Sequence, residues 1–521
     1  MKRVLVVGPG PSRVGSASGS VNVLLRADAL AAAGYEVVVV DSCPSSALLW
    51  SRHRRYLEAI DAETIAAIVK AERIDAVWTA GSGSRSRRDV RDADIAPARW
   101  IHEEADLDAV DPRPGPGPKP FSVVPGKADV VFAGPPTTPR RLRPLEHLDT
   151  SLWLAERAAD RAGRKPAVVA ADAEMPANAI VLAGFVDELR AVPRAVDFPP
   201  AFFEFARSHE RPTPDGSVEI HVLVMTDAQR ARILGTFEHV EHAPVHADDA
   251  AAVFPSLSAP ETTLRAAEEE SLRVAVASGA RGIVTVRWAL GAELVMLGVT
   301  GGVTTHALSL GVATGVDVVD EAVRVALGNA VATAPVPVPR HVAVEEHVFP
   351  FAETEAADTR LDRGPFSTGS VLAIGETVER AYARALAAMG VSLRRPKGEA
   401  AVLLAGGDEH ASALADVGRR LFALGFDVVA TEEAARWLAR LRVRHRVEGD
   451  ATALVARRGI AAVVAATSRE HPEARAELRR AALASSVPCF STIDLVRVAV
   501  RALEQDDGAV HIRALDDWQR A

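Results

Sequence analysis

Short β-branched runs alternate with stretches of helical period from the first residues of the chain onward. "RVLVVG" reads as a strand that ends in the glycine turn "GPGPSRVGSASGS"; "VNVLLRADALAAAG" then spaces its apolar residues as a helix, and "YEVVVVD" reads as a second buried strand. Strand, glycine turn, helix and strand in that order predict the opening of a doubly wound α/β domain. "AETIAAIVKAERI" and "DAVWTAG" repeat the grammar as helix and strand. The Pro/Gly tract "DPRPGPGPKP", Asp111 to Pro120, then interrupts it and reads as a loop or linker.

From about Val130 the pattern becomes α+β. "RKPAVVAADAE", "SVEIHVLVM", "RILGTFEHVEH" and "GIVTVRWALGAELVML" read as strands, the last as a hairpin turning at Gly291 and Ala292. "APETTLRAAEEESLRVAVASG", "DEAVRVALGNAV" and "TVERAYARALAAMG" carry the helical period. After the polar tract "RRPKGE", strands and helices alternate again through "AAVLLAGG", "ALADVGRRLFALG", "FDVVATEEAARWL", "GIAAVVAATS", "AELRRAALASS" and "VPCFSTIDLVRVAVRAL", which predicts a small α/β domain of about 120 residues.

Composition narrows the function classes. A chain of 521 residues exceeds one ordinary core, and 48% hydrophobic with 25% charged residues describes a globular protein. A net charge of -9 argues against nucleic acid as a partner, and the basic run "SRSRR" is answered at once by Asp89, Asp92 and Asp94. No apolar segment reaches about 18 uncharged residues, so no membrane span is expected and the cytoplasm is the expected compartment. Only Cys43 and Cys489 occur, which excludes a disulfide framework or zinc spacing of cysteines.

Two stretches carry candidate chemistry. Gly8, Gly10, Arg13 and Gly15 occupy the turn after the first strand, where glycines let backbone N–H groups approach a phosphate, and Asp41 ends the second strand as a ribose-binding acid would. The spacing is not the strict dinucleotide fingerprint, and Pro9 and Pro11 remove donors. "EHVEHAPVH" crowds Glu238, His239, Glu241, His242 and His246 together. On a strand His239 and His242 point to opposite faces, so the stretch reads as a polar strand end and loop rather than a metal site. No Ser/His/Asp or Cys/His nucleophile pattern occurs.

Taken in order, "VLVVGPGPSRVG", "GYEVVVVDSCPSSA", "FEHVEHAPVHADD", "RGIVTVRWAL", "LGVATGVDVVDEAVRVALG", "HVAVEEHVFPF", "FSTGSVLAIGETVERAYARALAAMG" and "LFALGFDVVATEEAA" resemble the C-terminal half of the carbamoyl phosphate synthetase large chain. The resemblance is weak from about Ala80 to Arg211. It implies a Rossmann-like pre-ATP-grasp domain over 1–135, an α+β ATP-grasp-like domain over 136–397 and a small α/β methylglyoxal-synthase-like regulatory domain over 398–521. It also implies an activity, phosphorylation of carbamate by ATP, in which magnesium bridges the phosphates and cations surround the γ-phosphate.

The residues that such chemistry needs are replaced. Where the family has a metal-binding Gln this chain has Arg287; Gly298 stands for the metal-binding Glu, Thr300 for an Asn and Gly302 for an Arg. Along "PAVVAADAEMPANAIVLAGFVDEL", Ala170 and Asn178 stand for phosphate-binding Arg residues, and Pro176 and Ala177 for a flexible Gly-Gly. Arg287, Glu238 and the retained His246 are the candidate nucleotide-site residues. An always-charged Arg287 can pair with phosphate or carboxylate, or simply fill an abandoned metal site.

In the regulatory domain Thr431 is retained, whereas Ala434 and His445 replace the family's second effector threonine and its lysine. Glu432 and Glu433 oppose an approaching anion, and Arg444, Arg446, Ser468 and Thr492 are the substitute ligands. The expectation is a pseudoenzyme with no catalytic residues and no metal ligands. It would bind a protein partner, such as a ligase or transferase subunit, or a small phosphorylated or carboxylate ligand, and form a homo-oligomer. ATP and magnesium are expected only under the alternative, a divergent ATP-grasp ligase; a nucleotide-sensing regulator is the third reading.

Overall fold

Three large β-sheets follow one another along the described residues of the computed structural model, with a small two-stranded one beside them, and the strand direction changes between the large ones. The structure describes residues 3–8, 34–78, 93–101, 130–133, 166–169, 217–242, 249–291, 293–302, 304–326, 329–349, 369–391, 400–456, 460–467, 474–506 and 509–520, with positions 10, 23, 24, 27, 28, 30, 31, 213, 214, 359 and 367 beside them.

The first sheet joins β1 (Arg3–Val7), β2 (Glu36–Asp41), β3 (Arg54–Leu57), β4 (Ala76–Trp78) and β5 (Arg99–Ile101) in the order β3-β2-β1-β4-β5, all parallel. Its central strands are unbroken Val/Leu runs because both faces are covered, which is how parallel sheets read in sequence. Helix α1 (Ala62–Glu72) starts at Asp61, whose side chain accepts the Thr64 N–H, and ends at Arg73 in the left-handed region. A separate parallel pair joins β6 (Val130–Ala133) and β7 (Pro166–Val169).

The second sheet is antiparallel throughout. It comprises β8 (Val218–Asp227), β9 (Ala231–His242), β10 (Ala252–Phe254), β11 (Arg281–Leu290), β12 (Leu294–Gly301), β13 (Val342–Val348) and β14 (Gly369–Gly375), ordered β12-β11-β8-β9-β10-β13-β14. Alternation sends Ile220, Val222, Val224, Val284 and Val286 to one face, under α2 (Glu261–Ala277). Leu223, Met225, Phe237 and Ile283 go to the other, under α3 (Thr305–Thr314) and α4 (Val318–Ala326). The hairpin turns at the expected Gly291.

The third sheet is parallel again: β15 (Ala401–Ala405), β16 (Asp427–Thr431), β17 (Arg446–Glu448), β18 (Ile460–Ala465) and β19 (Cys489–Phe490), ordered β17-β16-β15-β18-β19. Its helices are α6 (Ala411–Ala423), α7 (Glu432–Arg440), α8 (Ala451–Val455), α9 (Ala476–Ala484) and α10 (Ile493–Glu504). Together with α5 (Val378–Ala388), one face of this sheet continues into the β13-β14 end of the second sheet as a single apolar cluster. The molecule is thus mixed α/β, with parallel and antiparallel sheets. No helix among the described residues is long and apolar enough to cross a membrane, and Cys43 and Cys489 are not disulfide-bonded.

After α10 the chain returns to the first sheet. Ala514 bridges Tyr56, Arg55 pairs with Asp516, and Arg54 pairs with Asp517 at 3.0 Å. On α11 (Leu515–Gln519), Trp518 is buried in the same apolar cluster as Leu49 and Trp50, with the Arg513 guanidinium 4.3 Å from its ring. Gln519 Nε2 donates to the Val312 carbonyl on α3 at 2.6 Å. Glu58 sits at this junction, accepting from the Arg513 N–H at 3.2 Å and lying 3.4 Å from the Arg384 guanidinium of α5.

Burial raises the Glu58 carboxyl from 4.5 to about 7, and Arg384 and the Arg513 N–H only partly oppose it. The folded chain therefore holds this proton more tightly than the unfolded one. The resulting stability is complete below about 4.5 and is lost as pH rises through about 7. Replacing Glu58→Gln should flatten the fall of the urea midpoint across that window, a slope of up to about 1.4 kcal/mol per pH unit; parallel profiles for the two proteins would refute the assignment. Trp518→Ala should cost about 3–5 kcal/mol in the same assay, as for other buried aromatic side chains.

Candidate functional site

Register builds the site. Gly298 on β12 pairs with Arg287 on β11, Arg287 with His221 on β8, and His221 with Phe237 on β9, giving one row across four strands. A second row runs from His239 through Ala252 and Glu345 to Leu372. Paired residues share a face, as do residues two apart, so both rows look toward α3. His306 enters from the first turn of that helix, stacked flat on Phe237 with centroids 4.6 Å apart.

The result is a buried polar cluster in an otherwise apolar face. His221 Nε2 lies 2.8 Å from Glu219 Oε1, and His306 Nδ1 lies 3.0 Å from Glu345 Oε2. One ring nitrogen from each of His221, His239 and His306 can be chosen so that all three fall within 4.8 Å of one another. His239 Nε2 is buried without a hydrogen-bond partner. Burial depresses the His221 and His239 rings well below 6.5, and the neighbouring His306 adds to both effects. Glu345 goes the other way from most buried carboxyls: burial pushes it up, but the charge and hydrogen bond of His306, with the charge of His347, hold it at about 2.

Arg287 lies over Gly298. A Cβ added at Gly298 would stand 2.9 Å from Arg287 Nη2. The guanidinium also lies 3.6 Å from Glu219 Oε1. Magnesium needs carboxylate or amide oxygens. At the position where the resemblance implies that ion, the chain presents a fixed cation above a residue without a side chain, so these residues do not fit it.

The other sequence-predicted residues go elsewhere. Glu238 is not turned to the site: it points to the opposite face from His239. Its carboxylate accepts from Ser256 Oγ at 2.7 Å, from the Leu257 and Ser258 N–H groups at 2.9 Å each, and from Ser258 Oγ. It anchors the loop that leads into α2. "EHVEH" does end β9, but its Glu238, His239 and Glu241 are buried rather than solvated. Asp41 is not a free ribose acceptor: it takes the Ser42 and Cys43 N–H groups and Ser46 Oγ, at 2.7, 3.1 and 2.7 Å, and burial raises it to about 6. Gly8 is required there because a Cβ would meet Asp41 Oδ2 at 2.1 Å, and Gly10 has φ +71°. Arg13, Gly15, His246 and Ser468 lie outside the described residues, as do Ala170, Pro176, Ala177 and Asn178.

In the third sheet, a cavity of about 330 Å³ lies at the N-terminus of α7, lined by Thr431, Glu432, Glu433, Arg436, Glu448 and Arg475 among others. Arg475 pairs with Glu433 at 2.9 Å. The other predicted ligands are not in its lining: Arg446 pairs with Asp427, Arg444 covers the Phe422 ring, and Thr492 donates to Glu241 at 2.7 Å. Sequence reasoning missed His221, His306, Glu219 and Glu345. The available signal was the pair of polar residues at alternate positions in "VEIHVLV" and in "VAVEEHV".

Comparison with known proteins points one way. No family model matches the chain. It is 30% identical over 302 residues to a carbamoyl phosphate synthase large chain from Thermomicrobium roseum, covering 55% of this chain and 28% of that one. A second, from Rubrobacter xylanophilus, is 27% identical over 523 residues, covering 96% and 47%. Among solved structures, a biotin carboxylase from Campylobacter jejuni aligns at 14% identity over 73% of this chain and 89% of that one, with a TM-score of 0.28, too low to carry an argument. The protein is carbamoyl phosphate synthase large-chain-like. It spans about half or less of the length of these relatives.

If Glu238 is an anchor for the loop, Glu238→Ala should leave the Leu257, Ser258 and Ala259 N–H groups without their acceptor and cost about 2–4 kcal/mol in chemical denaturation. An unchanged midpoint would return Glu238 to the list of free ligands.

Proposed function

We propose that this chain is a paralog of the second half of a carbamoyl phosphate synthase large chain that no longer phosphorylates carbamate. It acts by binding a protein partner or a small phosphorylated or carboxylate ligand. On this reading the three sheets belong to a Rossmann-like pre-ATP-grasp domain (1–135), a degenerate ATP-grasp domain (136–397) and a methylglyoxal-synthase-like domain (398–521).

One observation carries the loss of activity: the Arg287 guanidinium packs against Gly298. Two substitutions on neighbouring strands fit each other in volume, and together they replace two metal-binding side chains by a cation and a hydrogen atom. Phosphoryl transfer depends on charge neutralisation around the phosphates, and a second cation at this place is repelled rather than held. Thr300, exposed near the end of β12, adds only a neutral hydroxyl.

Calorimetric titration with Mg-ATP tests the reading. The wild-type chain should show no binding at millimolar nucleotide, an affinity weaker than about −4 kcal/mol. Gly298→Glu alone should stay silent, because the new carboxylate pairs with Arg287; Mg²⁺-dependent heat should appear first in the Arg287→Gln, Gly298→Glu, Thr300→Asn triple variant. Micromolar binding by the wild type, or ADP release with carbamate present, overturns the proposal and favours a divergent ligase.

A further inference from the structure

The three imidazoles on the α3 face of the antiparallel sheet are more than a hydrogen-bonded core. We propose that His221, His239 and His306 form a binding site for one divalent transition-metal ion of the zinc class, distinct from the magnesium position that the resemblance implies.

The donor set points to that class. Imidazole nitrogen suits zinc, copper, nickel or iron, whereas magnesium and calcium require oxygen. Three histidines, which leave the fourth tetrahedral position to a non-protein ligand, match the donor set of open zinc sites. The rings come from three elements, β8, β9 and α3, each held by packing: Phe237 lies under His306, and His221 lies 4.6 Å from His239 and 5.0 Å from His306 by ring centroids.

The outer contacts are those of metal-binding histidines. Such rings turn their second nitrogen to a carboxylate, which fixes orientation and raises basicity. His221 does so with Glu219 and His306 with Glu345, and both acids are buried. That leaves Nδ1 of His221 and Nε2 of His306 for a ligand. His239 supplies the independent observation: its Nε2 is buried with no partner, although buried ring nitrogens are normally satisfied. At zinc–nitrogen bonds of ~2.0–2.1 Å, three tetrahedral donors stand roughly 3.3 Å apart. One nitrogen of each ring already lies within 4.8 Å of the other two, so the donors have to draw together by up to about 1.5 Å to close on an ion. A divalent ion also answers the two buried carboxylates, while Arg287 remains at the margin, 3.6 Å from Glu219.

The inference is independent of the proposed loss of ligase activity, since neither Mg-ATP binding nor its absence changes it. The test unfolds the full chain with a chelator present, refolds it with CoCl₂ or with buffer alone, and reads the visible spectrum and the bound metal. One Co²⁺ per chain is expected, with the d–d bands of a tetrahedral nitrogen site, displaced by ZnCl₂. His239→Gln and His306→Gln should each abolish the bands while circular dichroism stays native. Glu345→Gln should weaken binding about 10–100-fold, and His53→Gln, whose ring pairs with Asp28 on the first domain, should change nothing. Absence of stoichiometric Co²⁺ in the refolded wild type overturns the site. So does a spectrum that survives His239→Gln, or one lost equally in His53→Gln.

Discussion

Glu345 has no contact with water and is ionised, held at about 2 by its neighbours. An isolated buried carboxylate costs several kcal/mol, so something must answer its charge. Much of the central sheet's α3 face is arranged around that need. β13 places Glu345 opposite Ala252, a side chain small enough to leave space, and α3 begins where His306 can reach it. His306 in turn lies flat on Phe237, which belongs to the same apolar cluster as Leu308, Leu310 and Trp518. A polar requirement thereby fixes the position of a helix whose other contacts are non-directional.

The same face shows how replaced side chains are absorbed without disturbing the architecture. Side chains in one sheet row adjust to one another: a long guanidinium at 287 is accommodated because 298 is glycine, and its charge is met by Glu219. The row stays packed, so the fold pays no visible penalty. Charged groups that looked like ligands in the sequence have become anchors, Glu238 for the loop before α2 and Asp41 for the turn after β2. Each spends its hydrogen-bonding capacity on backbone N–H groups and hydroxyls.

The parallel sheets were legible because their central strands are buried on both faces, so "RVLVV" and "EVVVVD" need no periodicity to be read. Helices were legible where an Asp or Thr cap precedes a periodic run, as at Asp61, Thr377 and Thr492. The site was legible only in part. Arg287, Gly298 and Thr300 stand out by comparison with a motif, but His221 and His306 are 85 positions apart and become neighbours only through strand register and the entry of α3. β13 was hidden because its run "VAVEEHV" carries two acids and a histidine that the cluster and α5 make acceptable inside. The segment 509–520 was hidden because its contacts depend on elements that precede it by more than 400 residues.

That last segment sets an order of events. β3 is an edge strand, and the residues that cover it, Ala514 and Asp516, are separated from it by about 460 positions. At roughly 5–20 residues per second, the ribosome delivers the cover some 25–90 s after the strand itself. A first sheet that forms within that interval has an open edge, and its Leu49 and Trp50 lack the Trp518 ring that joins their apolar cluster. The first sheet therefore has an edge that a chaperone can meet for the whole of that interval, well after its own strands have been made.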